Sequence, residues 1–179
     1  IILDDADINF AAFMCISVCF NAGQGCALAT RLLAPRSHYE KIVEVAKNTF
    51  DSVKLGDPLS REQFMGPLVN KRQQQRVLQY IEQGKAEGAR LVCGGVVPAG
   101  LEQGCYVAPT IFADVRNDMT IAQEEIFGPV LCIIPYDTEE EAIQIANDSI
   151  YGLSGAIFSK DQERALRVAR QIRTGTMNI

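Results

Sequence analysis

The sequence contains no tryptophan and a single histidine, His38, among its 179 residues. One histidine leaves little scope for a His-rich metal centre or for histidine-driven proton transfer, and no metal is expected. No stretch approaches the ~18 consecutive apolar residues of a bilayer-spanning helix, so no membrane partner is expected. Positive charge is the minority: 17 Lys and Arg stand against 22 Asp and Glu, for a net charge of −5. Such a balance does not suit a surface that tracks phosphates, which excludes nucleic acid as an expected partner. The opening IILDDADINF has no initiator methionine, no basic n-region and no cleavage site, so it does not read as a targeting segment. The closing GTMNI stops in a strand-like pattern. Both ends read as cuts through a fold, and the chain is expected to be part of a longer protein.

A composition 47% hydrophobic and 22% charged belongs to soluble globular proteins. A chain of this length buries roughly 70% of the surface its unfolded form exposes, enough for one substantial core. The six cysteines (Cys15, Cys19, Cys26, Cys93, Cys105, Cys132) form no CxxC pair and no cluster in sequence. Five of them are expected to be buried, reduced thiols of a cytoplasmic protein, with Cys26 the exception.

Hydrophobic periodicity predicts a buried helix from about Asp7 to Phe20, nearly all apolar after Phe10, ended by the glycines of AGQGC. A short strand follows at Thr30–Ala34. Ser37 and Glu40 have capping-box spacing and would open a helix running to about Phe50. A second amphipathic helix is predicted over Asn70–Gly84, with Val77, Leu78 and Ile81 as its stripe. Arg90–Cys93 reads as a strand. Cys105–Val107 and Thr110–Phe112, separated by Pro109, read as an edge or interrupted strand. The apolar run Val130–Pro135 is of the buried-strand type. Thr138–Asn147 is a predicted helix, Leu153–Phe158 a strand, Asp161–Arg173 a helix, and Gly175–Ile179 the start of another strand. Strands alternating with helices indicate an α/β fold, a largely parallel open sheet flanked by helices, in a single domain over residues 1–179.

Two segments carry chemistry. In FNAGQGCALATRLLAP (20–35), a cysteine follows a glycine-rich turn between a helix and a strand. Gly23 and Gly25 would let a substrate or cofactor come close to the backbone. Nearby amides, that of Cys26 included, could face a developing oxyanion. A glycine-capped helix end with an incidental buried cysteine fits the same spacing. In QEEIFGPV (123–130), two adjacent carboxylates and an aromatic residue precede a Gly-Pro turn and the buried strand. Ends of sheet strands are where open α/β sheets place ligands. A solvated acidic turn with Phe127 as a core plug is the plainer reading of this segment.

Together the two segments resemble the aldehyde dehydrogenase superfamily, in matching order and separation. FNAGQGC resembles the family's F-x-x-G-Q-x-C cysteine signature, and QEEIFGPV its E-E-x-F-G-P block. DDADI at 4–8, KLGDPL at 54–59, MGPLV at 65–69, GCYVAPTIF at 104–112 and ANDSIYGLSGAIFSKD at 146–161 are similar to further family blocks, so the likeness spans essentially the whole chain. The resemblance implies that Cys26 attacks an aldehyde carbonyl, that hydride passes to NAD or NADP, and that water then hydrolyses a thioester to a carboxylic acid. It implies that Glu125 accepts hydrogen bonds from the nicotinamide ribose hydroxyls, with Phe127 packed beside that ribose. The Cys26 N–H would be half of an oxyanion hole. Gln73 and Arg76 would approach the cofactor, although a solvated helix face explains them equally well. Ala27 and Leu28 suggest a modestly apolar channel for a small aldehyde. A homo-oligomer, dimer or tetramer, is implied for the parent enzyme.

The departures from the family pattern also matter. The E-L-G-G-K block with the general-base glutamate, the asparagine of the oxyanion hole, the elements holding the adenine half of the cofactor and a terminal assembly strand have no counterpart in these residues. The chain is therefore expected to be a fragment with a nucleophile and no base, and with little or no activity alone. Two other classes fit Cys26: a cofactor-independent thiol esterase or acyl-transfer domain, and a non-catalytic assembly module.

Overall fold

The apolar run VLCIIPY becomes an interior strand of a four-stranded sheet in the computed structural model, which describes residues 1–179. In chain order the elements are α1 (Ile8–Phe13), β1 (Arg31–Pro35), α2 (Tyr39–Asp51), α3 (Lys71–Ala86), β2 (Arg90–Cys93), β3 (Thr110–Ala113), α4 (Thr120–Gln123), β4 (Val130–Tyr136), α5 (Glu139–Asn147), β5 (Ser154–Ala156), α6 (Gln162–Ala169) and β6 (Thr176–Asn178). The sheet order is β1-β4-β3-β2. β4 pairs in parallel with β1, Arg31 opposite Cys132, and in parallel with β3, Thr110 opposite Val130. With a neighbour on each side and both faces covered, Val130 to Ile134 are all buried, which is why no apolar–polar alternation marks this strand. β2 closes the far edge antiparallel to β3, with a bulge between Leu91 and Cys93.

β5 and β6 make a small parallel sheet. Residues 1–3 join it to the main sheet: the Ile2 amide donates to Leu33 O (3.0 Å), and that of Leu3 to Phe158 O (2.9 Å). Ile2 and Leu3 are fully buried in consequence. α2 covers the main sheet with Ile42, Val43, Ala46 and Phe50, and α3 with Val77 and Ile81. A Cβ at Gly84 would lie 2.9 Å from Ile121 Cδ1, so the glycine lets α3 settle closely on α4. The side chains of Asn70, Thr138 and Asp161 accept from the backbone amides of Gln73, Glu141 and Arg164, capping α3, α5 and α6. No helix is long and apolar enough to cross a membrane.

Several expectations need correction. The first helix is α-helical only through Phe13 and continues as a 3-10 helix over Met14–Gly23, kinked at Phe20–Ala22. It is not buried all round. Its small residues Ala11, Ala12, Cys15, Val18 and Cys19 face the core, while Phe10, Phe13, Met14 and Phe20 are exposed. A helix turns only one stripe to a sheet, and the compact side chains occupy that stripe. The Ser37–Glu40 capping box does not form: Arg36–His38 is a 3-10 turn without a side-chain cap, and Glu40 instead pairs with Arg90 at 2.8 Å. Cys105–Val107 is not a strand, and β3 is interior to the sheet. Pro109 is compatible with that because it precedes the first paired residue.

Candidate active site

Two parallel neighbours send their leading loops out of the same end of the sheet. β1 and β4 are paired in register, so the loop before Arg31 and the loop before Val130 emerge side by side. The site therefore lies at the amino ends of these strands, not at the carboxyl ends where ligands of open α/β sheets usually sit.

The first loop carries Cys26. Phe20 is extended, and the next three residues are left-handed, with φ of 50° at Asn21, 55° at Ala22 and 74° at Gly23. Left-handed backbone costs a non-glycine residue roughly 1 kcal/mol or more, so the loop needs outside support. Gln24 supplies part of it. Its Nε2 donates to Asn21 O (2.8 Å), and its Oε1 accepts from the Val69 amide (2.9 Å). Gly23 supplies the rest through close packing, since a Cβ there would lie 2.0 Å from both Gly128 C and Gly128 O. The expected role of Gly23 in admitting a ligand is thus corrected: the neighbouring loop's backbone fills that space. Gly25–Leu28 then forms a turn closed by the Leu28 amide donating to Gly25 O (3.2 Å), with Cys26 and Ala27 at its corner. Cys26 is exposed, and its amide donates to no acceptor within the chain. The Ser154 hydroxyl donates to Ala27 O (2.7 Å), fastening the turn to β5.

The second loop carries Glu125 and Phe127, and α3 holds it. Gln73 Nε2 donates to Ile126 O (3.1 Å) and Phe127 O (2.9 Å). Arg76 Nη2 donates to Glu125 O (2.8 Å). Gln73 and Arg76 are thus committed to this backbone and are not a free solvated face. Gly128 packs against the same helix, where a Cβ would come within 2.4 Å of Val77 Cγ2. Phe127 is half-buried with φ of 58°, a non-glycine residue held left-handed, like Asn21 and Ala22, by a loop fixed at both ends. The two carboxylates are not equivalent. Glu124 accepts a hydrogen bond from the Tyr80 hydroxyl (2.6 Å), whereas the exposed Glu125 carboxylate has no partner within the chain. Tyr80 escapes a reading of motifs, but its i+4 spacing from Arg76 is a signal in the sequence.

A cleft of about 350 Å³ borders the cysteine loop, lined by Asn21, Gln24, Gln63 and Phe64 among others. Phe64 packs on Phe20 with ring centroids 5.5 Å apart. The other thiols have different surroundings. Burial pushes Cys15, Cys19 and Cys132 up to about 12 and Cys93 up to about 11, which suppresses the thiolate. All six cysteines are unpaired, and only Cys26 is exposed. His38 lies beyond the far end of β1, five residues long, so roughly 15 Å of strand separates it from the cysteine turn.

A family model described as the aldehyde dehydrogenase family matches residues 1–179. A 3-succinoylsemialdehyde-pyridine dehydrogenase of a Pseudomonas species is 48% identical over 181 residues, covering 100% of this chain and 38% of that protein. A betaine aldehyde dehydrogenase of Agrobacterium fabrum is 44% identical, covering 99% and 36%. The crystal structure of a Mycobacterium tuberculosis aldehyde dehydrogenase complexed with NAD+ superimposes with a TM-score of 0.96 at 53% identity, covering 99% of this chain and 37% of that one. The chain thus spans a little over a third of the length of the proteins it matches.

Proposed function

Because the chain belongs to the aldehyde dehydrogenase family, we propose that it is the cysteine-bearing catalytic portion of an NAD(P)-dependent enzyme that oxidises a small aldehyde to a carboxylic acid. Cys26 is the nucleophile in this reading, and Glu125 and Phe127 meet the nicotinamide ribose. The observation that carries it is a contact. A loop with an exposed thiol and an unpaired amide is packed, through Gly23, against a loop with an unpartnered carboxylate.

The chemistry of these groups fits the reaction. The Cys26 thiolate adds to the aldehyde carbon, and the C=O π electrons move onto oxygen. The Cys26 N–H can donate to that oxyanion, an interaction strongest where charge develops. The resulting thiohemiacetal is anchored on a turn that Ser154 and Gln24 hold in place, which keeps the reacting carbon oriented. Bound NAD(P) would supply the acceptor for the hydride that leaves that carbon. Loss of hydride with re-formation of C=O leaves a thioester on Cys26. Water adds to the thioester, the thiolate departs, and the acid is released with a proton passed to a base. None of the residues described at the site is placed as that base, so the base belongs to another part of the enzyme. Glu125 fits the cofactor because an ionised carboxylate accepts from two vicinal hydroxyls, and no residue of this chain competes for it. The six unpaired cysteines suit a reducing compartment such as the cytoplasm.

The test is substitution in an enzyme carrying this segment at full family length. Cys26→Ala should abolish aldehyde-dependent NAD(P)H formation, while Cys132→Ala retains it. Normal turnover by Cys26→Ala would overturn the assignment. Burst release from an activated ester without nicotinamide, absent after Cys26 alkylation, would instead favour a cofactor-independent thiol esterase.

A further inference from the structure

Which of two adjacent carboxylates faces a ligand is decided by backbone geometry and by what holds it. Glu124 has φ −111° and ψ 151°, an extended conformation in which successive side chains point to opposite sides. Tying Glu124 to one side therefore sends Glu125 to the other. The tie is the hydroxyl of Tyr80, which gives its one proton to Glu124 Oε2 at 2.6 Å and accepts from Arg76 Nη2 at 3.0 Å. The Arg76 guanidinium also lies 4.8 Å from the Tyr80 ring centroid and donates to Glu125 O. Tyr80, Arg76 and Glu124 thus form one unit that clamps two consecutive residues of the loop against α3.

We propose that Tyr80 is a positioning residue for cofactor binding: by holding Glu124 against α3 it selects Glu125 as the carboxylate presented to the ribose. The inference rests on the reading of Glu125 as the ribose contact. Burial, together with the bond to Glu124, pushes the Tyr80 phenol above its ordinary value, so the proton it donates stays in place. Removing the hydroxyl frees the Glu124 side chain to turn and takes one anchor from the Arg76 guanidinium that holds Glu125 O, so the direction of the Glu125 carboxylate is no longer fixed. The cysteine turn is not touched by this change, because it docks on Gly128, which α3 holds independently through Val77. The expected effect therefore falls on the cofactor and not on the thiol.

The test uses a full-length enzyme carrying this segment, with Tyr80→Phe, Glu124→Ala, the double variant and Glu125→Gln. Tyr80→Phe is expected to raise the cofactor KM about five- to tenfold, the effect of losing one ordinary, solvent-exposed hydrogen bond. The aldehyde KM and the rate of Cys26 alkylation should stay within about twofold of the parent, since neither depends on the tether. Glu124→Ala should reproduce the cofactor effect, and the double variant should be no worse than either single one, because both remove the same contact. An unchanged cofactor KM in Tyr80→Phe, alongside a raised one in Glu125→Gln, would overturn the role of Tyr80 alone. So would a parallel change in aldehyde KM and alkylation rate, the mark of a merely structural residue. An unchanged cofactor KM in Glu125→Gln would overturn the reading of Glu125, and the inference with it.

Discussion

Replacing Gly23 with alanine puts the contact between the two loops under direct test. The new Cβ would sit 2.0 Å from Gly128 C and O and 2.5 Å from Pro129 N, against an ordinary contact of at least 3.4 Å. The difference, 3.4 − 2.0 = 1.4 Å, is the separation the backbones must gain, because no flexible side-chain end is available to yield. Overpacking of this kind costs about 1–3 kcal/mol, and the left-handed φ of +74° adds about 1–2 kcal/mol for any residue with a Cβ. Gly88 separates the two effects: its φ is +89°, and a Cβ there meets nothing within 4 Å. Gly88→Ala should therefore lose only the conformational part, and Gly23→Ala about 1–3 kcal/mol more, read as urea-unfolding midpoints at equal m. In the full-length enzyme a displacement near 1 Å between the Cys26 and Glu125 loops should lower turnover on the order of 100-fold. Gly88→Ala should leave turnover unchanged. If Gly23→Ala were no more destabilising than Gly88→Ala and kept full turnover, the proposed coupling between the loops would be wrong.

Other outcomes follow from the same structure. Limited alkylation of the native protein, read by mass spectrometry, should modify Cys26 first and leave Cys15, Cys19 and Cys132 protected, because burial holds those three thiols up at about 12. At Asp5 burial opposes ionisation, but the Ser159 hydroxyl, the Asp161 amide and Arg164 outweigh it and hold the carboxyl below its ordinary value. With the folded value depressed, the stability it contributes is present above the unfolded value near ~4 and is lost as pH falls through the lower folded one. Urea midpoints should accordingly fall below about pH 4 less steeply in Asp5→Asn than in the parent. Arg164→Ala removes pairs to Asp4 (2.7 Å), Asp5 (3.1 Å) and Glu139 (2.7 Å), and should lower stability by about 1–3 kcal/mol in a thermal or urea melt. The 179-residue chain alone should show little or no aldehyde-dependent NAD(P)H formation, and robust turnover by it would refute the need for a base from elsewhere.

Much of this protein was legible without coordinates. The helical stripe of Val77 and Ile81 and the apolar run 130–135 depend on residues a few positions apart, and local periodicity reports them well. The family was legible too, because it rests on ordered blocks of sequence, among them FNAGQGC and QEEIFGPV. Local pattern misjudged whatever depended on a partner from a distant part of the chain. Glu40 had cap spacing but found Arg90, and the aromatic face of the first helix read as core because apolar character alone does not say which side meets the sheet.

The site divides along the same line. Sequence alone determined that Cys26, Glu125 and Phe127 were the residues to examine, since residue type and motif are carried by the chain itself. Tertiary structure decided that the loops carrying them pack together. The parallel register of β1 and β4 sets the two loops side by side, and Gly23 on Gly128 leaves no room for a side chain between them. It also decided that Glu125 is free while Glu124 is held, and that one thiol of six is exposed. Those outcomes depend on distances between residues far apart in the chain, set by strand pairing and close packing, and local spacing carries no record of them.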